Sequence, residues 1–332
     1  MIRFIATRLA AMVGILLVLA FVVLCLQRYT PADPVRAKLG ANASKASVTA
    51  ERHRLGYDKP LAAQYVSYVG DLLNGDMQDS LRTRRPVVTD LGDFLPATLE
   101  LTVTGLFFAI VIGGFLGVAS AARWKGSGLL RIVLMGGSAL PTFLTALLGI
   151  LLFYRNLGWL PASGRTGLAN PPTGPTGFLV LDTLLHGDLP GFWNTVEHLI
   201  LPATCIAIGP AVSIGRVLRG SIVGALRTDY VRTAKAKGLS DRAVLLRHAL
   251  RNSIGPALSM TGLQVGLMFA GVVVVESIFA WPGLGLYTVQ SIPRLDFPAI
   301  AGVTLVLGAA YVMINTVVDI CQVVADPRIR AV

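Results

Sequence analysis

The side chains able to carry chemistry are few and scattered. Three carboxylates, Glu100, Glu276 and Asp319, fall near the ends of long apolar runs. An ion relay across a bilayer needs ionisable groups at the hydrocarbon centre, where each costs about 2.5–3.5 kcal/mol. At the ends of a span that cost is largely avoided, so each is read first as a local structural carboxylate. Glu276 is the least comfortable, following four valines (Val272–Val275), and is assigned either to a solute path or to a local pair with Arg294. The four histidines, His53, His186, His198 and His248, share no spacing, and Cys25, Cys205 and Cys321 sit in apolar segments without a CxxC pattern. Neither set makes a metal site or a disulfide framework. HExxH and GxSxG are absent, so no catalytic residue and no metal ligand is assigned. A GxxxxGK[ST] phosphate loop is absent too, and the chain lacks the usual means of holding ATP.

What remains is a basic island, Thr228–Ser253, lying between two apolar segments. Thr228 and Asp229 can cap a first helix, and Ala234, Lys235, Ala236 and Lys237 favour helix. Gly238 is the natural left-handed stop, and Ser240-Asp241 can cap a second helix running to about Asn252. Two short helices joined at one glycine make a bent, rigid unit. A basic helix on anionic lipid needs neither a fixed bend nor a capped second helix with Val244, Leu245, Ala249 and Leu250 as an apolar face. The island is therefore read as a docking element for another protein, by helix-in-groove packing.

The elements that must carry this island are membrane helices. The chain has 332 residues, 54% of them hydrophobic and only 14% charged. Segments at about 4–26, 97–119, 129–153, 198–217, 255–275 and 299–324 each reach the roughly 20 residues a bilayer crossing needs. The fold class is all-α integral membrane, with six transmembrane helices. Arg3 and Arg8 before the first segment resemble a signal peptide, but no small-residue cleavage site follows, so the segment is a spanning anchor.

Orientation follows from Lys and Arg. Arg123, Lys125 and Arg131 fall between segments two and three, and Arg216 through Arg251 between four and five; both connections and both termini are placed in the cytoplasm, with Arg328 and Arg330 at the far end. Of the 29 basic residues, 16 lie on that side and 13 opposite, and ten of the 13 sit in one long loop whose translocation does not depend on charge. This distribution, and not nucleic acid, accounts for a net charge of +11.

The long loop, about 28–95, opens with Thr30-Pro-Ala-Asp-Pro34 and carries Leu61, Tyr65, Tyr68 and Leu72 at helical spacing, which predicts short amphipathic helices packed over the membrane, either as a solvated cover or as a docking face for an extracytoplasmic partner. A second outer loop, about 154–197, is rich in Gly and Pro and reads as an irregular lid. Breakers recur inside the spans: Pro96 at a helix start, Gly113-Gly114-x-x-Gly117, Gly136-Gly137-Ser138 with Pro141 at mid-membrane, Pro202 and Pro210, and Gly262-x-x-x-Gly266 with Gly271. Small residues allow close helix approach and buried prolines kink helices, so the bundle is expected to bend.

At the island the sequence resembles a known family. Asp229-Tyr-Val-Arg-Thr-Ala-Lys-Ala-Lys-Gly238-Leu is similar to the EAA loop of ABC importer permeases, in the form found in B-type subunits of dipeptide, oligopeptide and nickel systems. Thr233-Ala234-Lys235 stands where the family has glutamate-alanine-alanine, as is usual in the peptide branch. Leu55-Gly-Tyr-Asp-Lys-Pro60, Leu95-Pro-Ala-Thr-Leu-Glu100, Gly158-Trp-Leu-Pro-Ala-Ser-Gly164, Phe279-Ala-Trp-Pro-Gly-Leu-Gly285 and Asp326-Pro-Arg-Ile-Arg330 match further family segments, so that only the linker around 165–197 is weakly covered.

The resemblance implies a type I importer permease fold. Residues 1–95 would be an anchor helix with its extracytoplasmic loop, 96–325 the permease core with the coupling loop at about 228–253, and 326–332 a cytoplasmic tail. It implies a bacterial inner-membrane, multi-pass subunit that pairs with a homologous C-type permease. Two ATPase subunits, or one fused ATPase, would bind ATP and Mg, which this chain does not. An extracytoplasmic binding protein would deliver cargo: peptides first, with nickel, glutathione or haem as alternatives. Asp229, Tyr230, Arg232, Ala234, Lys235, Lys237, Gly238, Leu239, Arg242 and Arg247 are the residues expected to couple to the ATPase, and Glu276, Pro141 and Pro210 those expected along the translocation path. A stand-alone secondary transporter and a receptor that only recruits partners are the readings from other classes.

Overall fold

The structure is a computed structural model that describes residues 2–29, 34–40, 42–54, 56–122, 126–137, 140–172 and 174–325. Of the features above, Thr30–Asp33, Leu55, Arg123, Lys125, Ser138, Thr173 and the segment 326–332 lie outside the described residues. The extended elements among the described residues are helices: α1 (Ile2–Tyr29), α2 (Pro34–Leu39), α3 (Lys45–Arg54), α4 (Leu61–Leu73), α5 (Val87–Ala121), α6 (Ser127–Gly136), α7 (Thr142–Gly149), α8 (Leu179–Leu185), α9 (Leu189–Ala225), α10 (Asp229–Ala236), α11 (Asp241–Ala243), α12 (Leu250–Ile278), α13 (Leu284–Ser291) and α14 (Phe297–Ala325). Wider π turns follow α7 at Ile150–Asn156 and α11 at Val244–Ala249.

Among the described residues, five helical stretches are long and apolar enough to cross a membrane: Ala6–Tyr29, Val87–Ala121, Leu189–Ala225, Asp241–Ile278 and Phe297–Gln322. In hydrocarbon a helix satisfies every backbone hydrogen bond within itself, which is why these apolar runs take no other form. The segment expected as one crossing at 129–153 is instead divided into α6, α7 and a π turn. Gly136 and Gly137 weaken the first piece, and Pro141 sits before α7 with extended backbone (φ −62°, ψ 144°), so the chain restarts there and Pro141 is not a kink inside one helix.

Pro96 also differs from expectation. Helix α5 begins at Val87, well before the proline, and carries Pro96 in its interior. Thr89 and Asp90 donate their N–H groups to the Pro86 carbonyl, and the Asp90 carboxylate lies in the first turn, where the helix dipole favours negative charge. Those start signals prevail over one lost hydrogen bond at Pro96. The long loop forms helices as its spacing predicts, in α2, α3 and α4.

The chain divides into two compact units. One joins the residues up to Pro96 with Pro282–Val312; the other joins Ala97–Trp281 with the residues from Met313 onward. In the first, α4 packs on α1: Tyr65 donates to the Leu17 carbonyl at 3.0 Å and meets Phe21 edge-on, and Gln27 donates to the Tyr57 hydroxyl at 3.0 Å. The turn between Asp76 and Pro86 is fixed by buried carboxylates. Ser80 donates to Asp296 at 2.5 Å, and Asp90 accepts from Thr83 at 2.5 Å and from Tyr287 at 2.9 Å.

In the second unit α9 is the centre, with Leu199, Leu201, Ala203, Ile206, Ala211 and Ile222 among its buried side chains. Its contact with α5 is backbone to backbone. A Cβ added at Gly113 would stand 2.6 Å from the Ala211 carbonyl oxygen, and one at Gly215 would stand 2.9 Å from that of Gly113. The expectation of close small-residue packing holds at Gly113, Gly117 and Gly137, whereas Gly114 and Gly136 face open space.

Candidate functional site

The basic island forms one folded bend. Helix α10 starts after Thr228, whose backbone is extended; its hydroxyl, expected as the cap, instead donates back to the Ala225 carbonyl at 2.6 Å. The helix ends at Ala236, and Gly238, two residues on, adopts φ +80°, the left-handed conformation that glycine takes without a steric penalty. Ser240 accepts the Ala243 N–H at 3.4 Å and opens the second helix as expected. Across the bend Lys235 Nζ meets Asp241 Oδ1 at 2.7 Å.

Two corrections apply to this element. The second helix does not end near Asn252. It passes through the π turn Val244–Ala249, where the Leu250 N–H reaches the Leu245 carbonyl five residues back, and continues as α12 to Ile278. Among the described residues no separate loop therefore intervenes between the bend and the apolar helix. The expected docking face of Val244, Leu245, Ala249 and Leu250 also turns inward. Val244 is fully buried with Val231 and Ala234 against Leu226 and Leu239, while Ala249, Leu245 and Leu250 pack with Ala121, Ile222 and Ala257. Apolar side chains are buried first by the nearest apolar surface, which here is the chain's own.

That leaves a different outward face. Asp229, Tyr230, Arg232, Lys235, Lys237, Gly238, Arg242 and Arg247 are exposed, Leu239 is half-buried, and Ala234 is inside. Arg232 pairs with Asp229 at 3.1 Å. The exposed apolar groups are Tyr230, 40% exposed, and Leu246, 42% exposed. The bend thus presents a basic surface with two hydrophobic contacts, on a base held by its own small core.

The residues assigned to a path lie on three different elements. Pro141 precedes α7 and is exposed, Pro210 is buried inside α9, and Glu276 is fully buried near the end of α12, where it accepts from Thr98 Oγ1 at 2.7 Å. Arg294 is exposed. Glu100 is buried and ion-paired: Arg165 donates Nε at 2.9 Å and Nη2 at 2.5 Å to its Oε2, and the Val180 N–H donates to Oε1 at 2.8 Å. Sequence reasoning missed Arg165 and Thr98 as partners. Glu100 and Arg165 are 65 residues apart, and no local pattern in the sequence signals the pair.

Three histidines bond locally: His53 to Asp58 at 2.8 Å, and His186 and His198 to the carbonyls of Asp182 and Asn194. Among the described residues no group of three His, Cys, Asp or Glu side chains is placed to hold a metal ion.

The described chain thus joins long apolar helices, fit to cross a membrane, to a basic bend continuous with one of them. Comparison with known proteins gives the family. The chain belongs to the binding-protein-dependent transport system inner membrane components, matching that description over residues 94–331 and the family's membrane component N-terminal part over residues 1–102. It is 41% identical to the di/tripeptide transport system permease protein DppB of Pseudomonas aeruginosa (strain UCBPP-PA14), over 99% of each chain. It is 42% identical to the probable D,D-dipeptide transport system permease protein DdpB of Escherichia coli (strain K12), over 95% of each. It is 36% identical to the dipeptide transport system permease protein DppB of Alkalihalophilus pseudofirmus, over 99% of this chain and 100% of that one. The chain is a multi-pass inner-membrane permease subunit of an ABC importer.

Proposed function

We propose that the chain imports short peptides as one half of an ATP-driven translocation path. Its relatives are named as dipeptide and di/tripeptide permeases, and peptides are the cargo class this supports best. Nickel, glutathione and haem are the alternative cargoes. The second half is a homologous C-type permease. ATP and Mg are held by two ATPase subunits, or by one fused ATPase, and an extracytoplasmic binding protein supplies the cargo.

The observation that carries this reading is the continuity of the bend with α12. Asp229, Tyr230, Arg232, Lys235, Lys237, Arg242 and Arg247 form the face against which the ATPase docks, and Ala234, Gly238 and Leu239 keep that face in shape. ATP-driven closure of the ATPases pushes the bend, and the push passes along one helical rod, through the Val244–Ala249 turn, into the membrane. A floppy connection would absorb it. The other crossings open outward to take the peptide, and hydrolysis returns them inward.

In this reading both termini and the bend are cytoplasmic, and α6 and α7 together make the third of six crossings. Glu276, Pro141 and Pro210 line or flex the path. The test is purification in mild detergent from cells expressing the chain at native level. A second permease, ATPase subunits and a peptide-loaded binding protein should co-purify. ATP-independent, gradient-driven uptake by the purified chain alone would instead favour a secondary transporter.

A further inference from the structure

A single turn of α5, Ala97–Glu100, holds three separate pieces of the second unit. Trp281, fully buried, donates Nε1–H to the Ala97 carbonyl at 3.0 Å. Thr98 holds Glu276 at the end of α12. Glu100 holds the loop between the π turn after α7 and α8 through Arg165, and the start of α8 through the Val180 N–H. The loop is closed on itself as well, since Arg165 Nη2 also reaches the Gly177 carbonyl at 2.8 Å. It is tied to the chain after α12 by the Gly164 N–H and Phe279 carbonyl at 2.8 Å, and to α9 by Asn194, which accepts from Thr166 at 2.9 Å and from the Gly167 N–H at 2.7 Å.

The backbone of this loop is irregular, as its glycine and proline content predicts, but these bonds tie it down. From them we infer that the loop residues 160–172 and 174–180 are not a gate that opens over the membrane helices, but move with α5 and the end of α12 as one body, with Glu100 as the positioning residue. The inference rests on the importer reading only for the existence of a cycle in which something must move. Its physical basis is that Glu100 is 6% exposed and its partner Arg165 has a side chain only 14% exposed. Separating them would leave a desolvated charge without its partner, and the bond from the Val180 N–H to the same carboxylate would have to break with it. Opening on the side of this loop must then occur along a surface other than the seam between the loop and α5.

The test uses the assembled complex with Cys25, Cys205 and Cys321 replaced by Ser and spin labels placed at Leu181→Cys and Phe115→Cys, both exposed positions. Fifteen residues of helix separate Glu100 from Phe115, about 22 Å, a span suited to pulsed dipolar measurement. The distance between labels is expected to stay within about 2 Å between the nucleotide-free and ATP-trapped states, a helix-scale tolerance set against the ~5 Å of a one-turn shift. In the same background, Glu100→Gln is expected to broaden the distribution while the amount of assembled complex is unchanged. A shift of a helical turn or more in the unmodified pair, or an unbroadened distribution in Glu100→Gln, overturns the inference. ATP-driven uptake of dialanine by the unlabelled complex is measured separately, and its absence counts against the importer reading alone.

Discussion

The ammonium of Lys235 lies 2.7 Å from the Asp241 carboxylate, and this contact joins the two arms of the bend on either side of Gly238. Both side chains are largely exposed, at 46% and 82%, so the pair is screened by solvent and salt. Exposed pairs contribute about 0.2–1 kcal/mol. Asp241→Asn is accordingly expected to lower uptake by no more than about fivefold, with the loss shrinking further in high salt. Initial-rate uptake in proteoliposomes at two salt concentrations checks this. A complete loss would mean that Asp241 contacts the partner directly.

The α5–α9 contact gives a paired prediction. Gly113→Ala forces a Cβ to 2.6 Å from the Ala211 carbonyl oxygen, and neither backbone can yield without separating the helices. Overpacking of this kind costs about 1–3 kcal/mol. Gly114→Ala, one residue on, meets nothing within 4 Å. Thermal denaturation in detergent should show a clear fall in midpoint for the first variant and none for the second.

Tyr68 on α4 supplies a pH dependence. Burial pushes its phenol up to about 12 from an ordinary value of 10.0. Because the folded value is raised, the stabilising contribution is complete below pH 10 and is lost as the pH climbs from 10 towards 12, where the unfolded chain has already released its proton. Tyr57 is raised in the same direction by burial, so the alkaline loss will not vanish in Tyr68→Phe. The fall in melting midpoint between pH 9 and pH 11 should nevertheless be smaller in that variant than in the parent chain.

The helical class, the positions of five long apolar helices, the short helices of the first loop and the bend at Gly238 were all legible in the sequence, because each rests on local information: hydrophobic runs, caps and a glycine. Four features were not. The break in the third apolar segment depends on how Pro141 is used, and a proline in a sequence can either kink a helix or start one. Pro96 is a favoured first helical residue, but Pro86 and Asp90 supply a better start upstream. The apolar stripe of Val244, Leu245, Ala249 and Leu250 does not by itself say which surface covers it. Val231 and Ala234 come from the first arm of the bend, and only the fold brings them against Val244. The Glu100–Arg165 pair spans 65 residues and had no local signature for the same reason.

The central claim is that a stiff bend carries the push of ATP closure into α12, and Gly238 tests it most directly. At φ +80° a β-branched residue pays a left-handed penalty of at least about 1–2 kcal/mol, enough to shift a two-state bend by roughly 5–30-fold. No neighbour lies within 4 Å of a Cβ there, so the penalty is confined to the backbone. The measurement is dipeptide uptake and ATP hydrolysis side by side, in proteoliposomes holding the complete complex with Gly238→Val. Membrane insertion and hydrolysis should persist while uptake per ATP falls about tenfold, within that same range. Uptake per ATP equal to that of the parent complex would contradict the claim.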